Sequence, residues 1–128
     1  MYDYKSCEME KVFIVDDSEI QVILLEKVLS HEGYEVATFR NGVELIKKLE
    51  NELPALVISD IEMPEMDGFE LISKIYADKK CQQIPFFFIS SHYDEATIKK
   101  VEGTPADHFF EKPLDRTSIL ANVKKIFA

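Results

Sequence analysis

Five short apolar stretches, separated by amphipathic segments, constrain the fold of this chain more than any other feature. They read KVFIV (11–15), YEVATF (34–39), ALVIS (55–59), PFFFIS (85–90) and DHFF (107–110). The first, third and fourth are almost unbroken apolar runs, which is typical of parallel strands that helices cover on both faces. The pattern therefore predicts five β-strands in a largely buried parallel sheet.

The segments between these stretches carry the start signals of helices. The capping-box pairs are Ser18 with Gln21, Asn41 with Glu44 and Asp67 with Glu70, and two further candidate N-caps are Asp94 and Asp115. Five strands that alternate strictly with five helices predict an α/β domain. Because crossovers between parallel strands are right-handed, a doubly wound sheet with helices on both faces is the economical arrangement.

The length of 128 residues corresponds to one domain. We assign residues 11–128 to this domain and expect residues 1–10, which precede the first strand, to form a loosely held N-terminal tail. No apolar run approaches the roughly 18 residues of a membrane span, and the first residues lack the order of a signal peptide. Cys7 and Cys81 then fit reduced thiols of a cytoplasmic protein better than a disulfide framework.

The charge balance disfavours two kinds of partner. The chain has 15 basic and 24 acidic residues, a formal net charge of −9. An acidic surface repels phosphate backbones and anionic lipids. We therefore expect this domain to bind neither nucleic acid nor membranes.

Carboxylates follow two strands that a doubly wound sheet places side by side. Asp16 and Asp17 come directly after the first strand, and Asp60 comes directly after the third. Ligands of open α/β sheets bind outside the carboxyl ends of the strands, so the three carboxylates should converge there. Left alone, they would raise one another's pKa values and destabilise the fold. A divalent cation removes this conflict, and an oxygen-rich, incompletely caged site suits Mg²⁺.

Two more polar residues lie at the same predicted edge. Ser90 ends the fourth strand with a hydroxyl donor, and Lys112 follows the fifth strand with a compact positive charge. Each residue alone has an ordinary explanation, since acids often cap helices and lysines often lie in surface loops. Their joint placement at the ends of four strands instead favours a site for phosphoryl transfer.

The sequence strongly resembles the receiver domain of two-component response regulators over about residues 10–127. Four motifs carry the resemblance: VDDS (15–18), SDIEMPEMDG (59–68), IPFFFISS (84–91) and FFEKP (109–113). Asp60 is followed by Pro64 and Gly68 at the family's spacing. The resemblance implies a flavodoxin-like sheet with strand order 2-1-3-4-5. It also implies that Asp60 accepts a phosphoryl group from a phosphohistidine on a histidine kinase or a histidine phosphotransfer protein.

The same resemblance implies which residues bind the metal ion and which bind the phosphoryl group. Asp17 and Asp60 would bind Mg²⁺ directly, together with the backbone carbonyl of Glu62, and Asp16 would act mostly through water. Ser90 and Lys112 would hold the phosphoryl oxygens.

The resemblance also implies a conformational switch that relays the signal. Phe109 is the aromatic residue that would turn when Ser90 is drawn inward. Glu62 and His92 occupy two variable positions at which the family tunes the lifetime of the phosphate, although two solvated side chains explain them equally well. The peptide bond before Pro113 is expected to be cis.

Two surfaces are candidates for partners. On the first helix, Leu24, Leu25, Val28 and Leu29 share an arc that should face the sheet, with Val22 at its edge. Ile20 and Ile23 fall outside that arc and predict a docking patch for the phosphodonor, unless a neighbouring helix covers them. The face formed by helix 4, strand 5 and helix 5 is the expected contact for a homodimer or downstream effector. Pro105, where the family often has glycine, leaves the details of that face open.

Two other functional classes compete with this prediction. A receiver-like module that works without phosphorylation would usually lack one of the acids or the lysine, and all are present here. A phosphohydrolase of the haloacid dehalogenase type has its nucleophile after the first strand in an Asp-x-Asp signature, which VDDSE and DIE do not supply. We therefore expect a signalling phosphoacceptor that is not an enzyme beyond its own phosphorylation and dephosphorylation.

Overall fold

The computed structural model describes residues 9–128, so most of the predicted N-terminal tail and Cys7 lie outside the described residues. The elements are β1 (Lys11–Val15), α1 (Glu19–His31), β2 (Glu35–Phe39), α2 (Gly42–Leu49), β3 (Leu56–Asp60), α3 (Gly68–Ala77), β4 (Phe86–Ser90), α4 (Glu95–Glu102), β5 (His108–Glu111) and α5 (Arg116–Phe127). One turn of 3₁₀-helix, Lys79–Cys81, follows α3. The predicted strand bounds are correct to within one residue.

The five strands form one parallel sheet in the order β2-β1-β3-β4-β5. This order confirms the predicted doubly wound, flavodoxin-like architecture. The register brings Asp60 opposite Ile89 and Ser90 opposite Glu111, so the strands end together at one edge. The loops that carry the polar motifs all leave the sheet at that edge.

Two apolar layers cover the sheet, one on each face. Alternation along β1 sends Val12 and Ile14 to one layer and Phe13 and Val15 to the other. On the first face the sheet packs against Leu25 and Leu29 of α1 and Ile119 and Val123 of α5. On the second face it packs against Leu45 and Leu49 of α2, Leu71, Ile72 and Ile75 of α3 and Val101 of α4. Burial on both faces explains why the central strands are apolar throughout.

Each α-helix begins directly after the residue that the sequence predicts as its N-cap. The capping side chains are Ser18, Asn41, Asp67, Asp94 and Asp115, and each accepts a backbone N–H of the first turn. The bond to Ser18 is the longest at 3.5 Å, and those to Asp67 and Asp94 are the shortest at 2.8 Å. These caps satisfy backbone donors that a helix leaves free and fix where each helix starts.

Pro105 lies beyond the end of α4 rather than within it. The helix ends at Glu102, where the N–H of Gly103 donates to Lys99 and Lys100 and the N–H of Thr104 donates to Val101. These bonds close the last turn before the chain reaches Pro105 and enters β5.

One predicted position on α1 is wrong. Leu24 was expected to face the sheet, but its side chain is 55% exposed, whereas Leu25 and Leu29 are buried. On a helix with 100° per residue, Leu24 lies only 40° from Ile20 and 100° from Leu25. It therefore belongs to the outward face that carries Ile20, and the inward arc is centred on Leu25 and Leu29.

The helices are short. The longest, α1, has 13 residues, whereas a transmembrane helix needs about 20 apolar residues. Within residues 9–128, no helix combines the length and apolarity that a membrane crossing requires.

Candidate functional site

Three carboxylates meet at the carboxyl edge of the sheet, as the sequence predicted. Asp16 and Asp17 follow β1, and Asp60 is the last residue of β3. One oxygen of each carboxylate lies within 4.8 Å of the oxygens of the other two. Asp16 and Asp60 are buried, whereas Asp17 is exposed, so the cluster opens to solvent on the Asp17 side.

Gly68 allows the loop after β3 to fold closely over the site. Its N–H donates to the carbonyl of Ile61 at 2.7 Å. A Cβ atom at this position would lie 2.6 Å from the backbone oxygen of Asp60 and 2.9 Å from the ring of Phe88. Because these atoms leave no room for a side chain, the spacing of Asp60 and Gly68 has a steric cause.

Lys112 lies between the two buried acids. Its Nζ is 2.9 Å from Asp16 Oδ2 and 3.3 Å from Asp60 Oδ2. Its backbone N–H donates to the carbonyl of Ser90, which ties the residue to the end of β4. The Lys112–Pro113 peptide bond is cis, as expected. The direct contact between Asp16 and Lys112 was not predicted, because sequence spacing does not specify how a lysine side chain is oriented.

Two buried oxygens of this cluster lack hydrogen-bond donors. Among residues 9–128, Asp60 Oδ1 and Asp16 Oδ2 are buried without a hydrogen bond; the Asp16 oxygen contacts Lys112 as an ion pair that is not aligned as a hydrogen bond. Leaving carboxylate oxygens without donors in the interior is unfavourable. A small divalent cation would remove that penalty, and carboxylate oxygens are the ligands that Mg²⁺ prefers. The residues present therefore fit a magnesium ion.

The surroundings of Asp60 and Lys112 shift the pKa values of both residues. Burial and, next, the negative charge of Asp16 raise the pKa of Asp60 to about 7, although the positive charge of Lys112 opposes them. Burial lowers the pKa of Lys112, but the close contact with the Asp16 carboxylate and the negative charge of Asp60 outweigh it, so the net shift is upward. Lys112 thus stays positive at neutral pH, while Asp60 needs added positive charge to be fully ionised.

Ser90 ends β4 as predicted, and its side chain is buried. Its Oγ donates to Glu62 Oε1 at 3.0 Å and accepts the backbone N–H of His92 at 2.9 Å. Glu62 Oε1 also lies 3.3 Å from His92 Nδ1. Glu62 and His92, the two residues at the variable positions, therefore contact each other, and Glu62 is hydrogen-bonded to Ser90. The side chains of Glu62 and His92 both reach solvent.

Phe109 is half-buried in β5 beside Phe88 of β4. Its ring packs against Tyr93 with the ring centroids 4.6 Å apart. Sequence reasoning missed Tyr93, and the only available signal was its position three residues after Ser90. Tyr93, in the loop before α4, is thus the aromatic neighbour of the residue that is expected to turn.

Ile20 and Ile23 are exposed, and Leu24 lies beside them on the same face of α1. Ile20 has the largest exposed fraction, 70%. No helix among the described residues covers these three side chains, so the alternative in which a neighbouring helix buries them is wrong. We refer to Ile20, Ile23 and Leu24 as the α1 patch.

Comparison with known proteins identifies the family. The sequence profile of the response regulator receiver domain matches residues 12–124. The chain belongs to this family. It is a receiver domain of two-component response regulators, as the motifs predicted, and receiver domains bind Mg²⁺ at an acidic pocket and take phosphoryl groups from histidine kinases.

Individual relatives agree with this assignment. The alkaline phosphatase synthesis transcriptional regulatory protein PhoP of Bacillus subtilis is 34% identical over 91% of this chain and 48% of its own length. Protein-glutamate methylesterase/protein-glutamine glutaminase 3 of Rhodospirillum rubrum is 36% identical over 92% of this chain and 31% of its own length. The chain thus spans half or less of the length of these curated relatives.

A solved structure shows the same fold. The signal receiver domain of a signal transduction histidine kinase from Syntrophus aciditrophicus is 31% identical, with a TM-score of 0.85 over 91% of this chain and 89% of that chain. The receiver family therefore accounts for the parallel sheet, its strand order and the acidic edge.

Proposed function

We propose that this domain accepts a phosphoryl group on Asp60 from a phosphohistidine of a histidine kinase or a histidine phosphotransfer protein. The observation that carries the proposal is Asp60 Oδ1, a buried oxygen without a hydrogen-bond donor in residues 9–128. It lies in a cluster that also contains Asp17 and Lys112. The other oxygen of this carboxylate, Oδ2, contacts Lys112, and the carboxylate can attack phosphorus once it is ionised.

The reaction is magnesium-dependent in this proposal. Asp17, Asp60 and the backbone carbonyl of Glu62 would hold the ion, and Asp16 would act mostly through water. When bound, the ion supplies positive charge that keeps Asp60 ionised and lowers the charge on the phosphoryl oxygens. The close approach of the three carboxylates supports this assignment.

Asp60 acts as the nucleophile. One of its oxygens forms the new bond to phosphorus while the bond between phosphorus and the histidine nitrogen breaks, and the imidazole leaves with that electron pair. Lys112 pairs with an oxygen of the transferring group and so stabilises the loose transition state. Ser90 binds another phosphoryl oxygen after transfer, and Phe109 then turns into the space that Ser90 leaves.

The donor docks on the α1 patch in this proposal. The patch is apolar, uncovered by the rest of residues 9–128, and begins two residues after the N-cap Ser18, next to the acids. An apolar surface beside a reaction site suits a protein donor, which must bring its phosphohistidine to Asp60.

In this proposal the domain passes the signal on through a protein–protein contact rather than through a further reaction. We place a homodimer or a downstream effector on the face formed by α4, β5 and α5, which contains Phe109 and Tyr93. The domain is then a signalling phosphoacceptor of the cytoplasm, with only its own phosphorylation and dephosphorylation as chemistry. An effector or enzyme, such as the esterase named above, would belong to other residues of a longer protein.

Incubation with a small phosphodonor and Mg²⁺ tests the proposal. A receiver should gain one phosphoryl group per molecule and lose it slowly once the donor is removed. A phosphohydrolase would instead turn the donor over steadily, and an interaction module that is not phosphorylated would gain nothing. Either of those outcomes would contradict the proposal.

A further inference from the structure

The single proton of the Ser90 hydroxyl is already engaged. The hydroxyl donates it to Glu62 Oε1 at 3.0 Å and accepts the N–H of His92 at 2.9 Å. A serine hydroxyl has only one proton to donate. Ser90 therefore cannot donate to a phosphoryl oxygen on Asp60 until it releases Glu62.

The position of Glu62 suits it to hold Ser90 reversibly. It lies two residues after Asp60, and together with Asp17 it lines a cleft of about 580 Å³ that adjoins the carboxylate cluster. Its side chain is 48% exposed, so the carboxylate can move into solvent without opening the core. The Nδ1 atom of His92 lies 3.3 Å from the same Oε1 atom.

We propose that Glu62 is a positioning residue. Its carboxylate holds the Ser90 hydroxyl in the orientation that it has while Asp60 is unphosphorylated. It competes with the phosphoryl group on Asp60 for the same proton. A negative phosphoryl group repels the nearby carboxylate and attracts the hydroxyl, so phosphorylation reverses the balance. This inference rests on the proposed function, and it gives Glu62 a role in the switch that is separate from the lifetime of the phosphate.

The proposal predicts that removing the carboxylate frees Ser90. Glu62→Ala should redistribute the Ser90 side chain among its rotamers, measured from NMR side-chain couplings without any phosphodonor. It should also tighten the binding of beryllium fluoride, a phosphoryl mimic, in the presence of Mg²⁺ by about three- to tenfold, the range expected for one hydrogen bond. Glu62→Gln is the matched control, because its amide oxygen still accepts from Ser90 while its charge is lost. Its effect should be clearly smaller.

A double-mutant cycle with Ser90→Ala tests whether Glu62 changes beryllium fluoride affinity through the Ser90 hydroxyl. If Glu62 acts through the Ser90 hydroxyl, Glu62→Ala should raise beryllium fluoride affinity much less when Ser90 is already alanine, because only the relief of charge repulsion then remains. An equal gain in both backgrounds, or equal effects of Ala and Gln, would mean that charge repulsion alone is at work and would overturn the proposal. Unchanged Ser90 rotamers in Glu62→Ala would overturn it as well.

The two measurements separate this proposal from the proposed function. If the wild-type protein does not bind beryllium fluoride, the assignment of Asp60 as phosphoacceptor fails. The Ser90 rotamers of the untreated variants still decide whether Glu62 holds the hydroxyl.

Discussion

Asp60 combines two properties that oppose each other, since a nucleophile must be ionised and a buried carboxylate tends to be protonated. Burial and the nearby negative charge of Asp16 together raise its pKa to about 7. Lys112 offsets only part of this. The proposed cation beside the acid pair would restore the ionised form of Asp60.

This electrostatic conflict predicts how the metal-free protein responds to pH. Between about pH 4 and about pH 7 the folded state holds a proton on Asp60 that the unfolded state has lost, since the ordinary pKa is 3.8. Stability must fall as pH rises through this window. Asp60→Asn should remove that slope and exceed the wild type in unfolding free energy above about pH 7, by on the order of a few kcal/mol.

Urea unfolding with EDTA across this pH range measures the effect. Asp17→Asn, which alters an exposed acid of the same cluster, is the control and should keep most of the slope. Identical slopes for the wild type and Asp60→Asn would show that Asp60 does not titrate in this range.

The metal assignment can be tested by comparing two acids. Asp17→Ala should weaken Mg²⁺ binding by at least about tenfold, because it removes a direct ligand. Glu62→Ala should change the affinity much less, since only its backbone oxygen is expected to bind the ion. Calorimetric titration of both variants gives the comparison, and equal losses would refute the assignment.

The residues of the site were predictable to different degrees. Asp16, Asp17, Asp60, Ser90 and Lys112 could be brought together from sequence, because parallel strands send their carboxyl ends to one edge. The bond between Ser90 and Glu62 and the stacking of Tyr93 on Phe109 could not. They depend on loop conformations and side-chain orientations, which no periodic pattern records.

At the level of elements, α1 contributes both to the core and to a surface. Leu25 and Leu29 pack under the sheet, while the α1 patch remains exposed. The helical period predicted this division but misplaced Leu24, because apolar residues outnumber the positions that the core can accept. The exposed patch therefore has three residues rather than the two that were predicted.

A charge in the α1 patch should impair the donor contact without affecting the chemistry. Ile20→Asp should slow transfer from the cognate phosphohistidine protein by about tenfold, equivalent to ~1.4 kcal/mol. Phosphorylation by a small-molecule donor should hardly change, because it needs no docking surface. Val43→Asp, at an exposed apolar residue of α2, is the matched control and should leave both rates unchanged.

Rates of transfer from the two donors decide the matter. If both fall together in Ile20→Asp, or if the unfolding free energy drops, the residue has a structural role and the patch is not a docking surface.

At the scale of the whole molecule, the fold followed from the sequence with little ambiguity. Five apolar strands, five capped helices and right-handed crossovers leave few arrangements, and the observed order β2-β1-β3-β4-β5 is the predicted one. The proposed switch is harder to read from sequence. It involves Ser90 on β4, Phe109 on β5 and Tyr93 before α4, whose side-chain contacts follow no sequence period.

Coupling across these elements makes a prediction for Ser90. Ser90→Ala should still accept a phosphoryl group on Asp60, because the nucleophile and the acids are untouched. It should transmit the change poorly to Phe109, since no hydroxyl moves toward the phosphoryl group. NMR of the Phe109 ring before and after activation measures the coupling. Full shifts of the ring resonances in the variant would contradict this role.

The central claim is that Asp60 alone carries the phosphoryl group, and locating the modified residue tests it most directly. The protein is phosphorylated with a small donor and Mg²⁺, reduced with borohydride to convert the acyl phosphate to homoserine, digested and analysed by mass spectrometry. We predict homoserine at position 60 only, and no incorporation in Asp60→Asn. Homoserine at position 16 or 17 in the wild type, or full labelling of Asp60→Asn, would contradict the account.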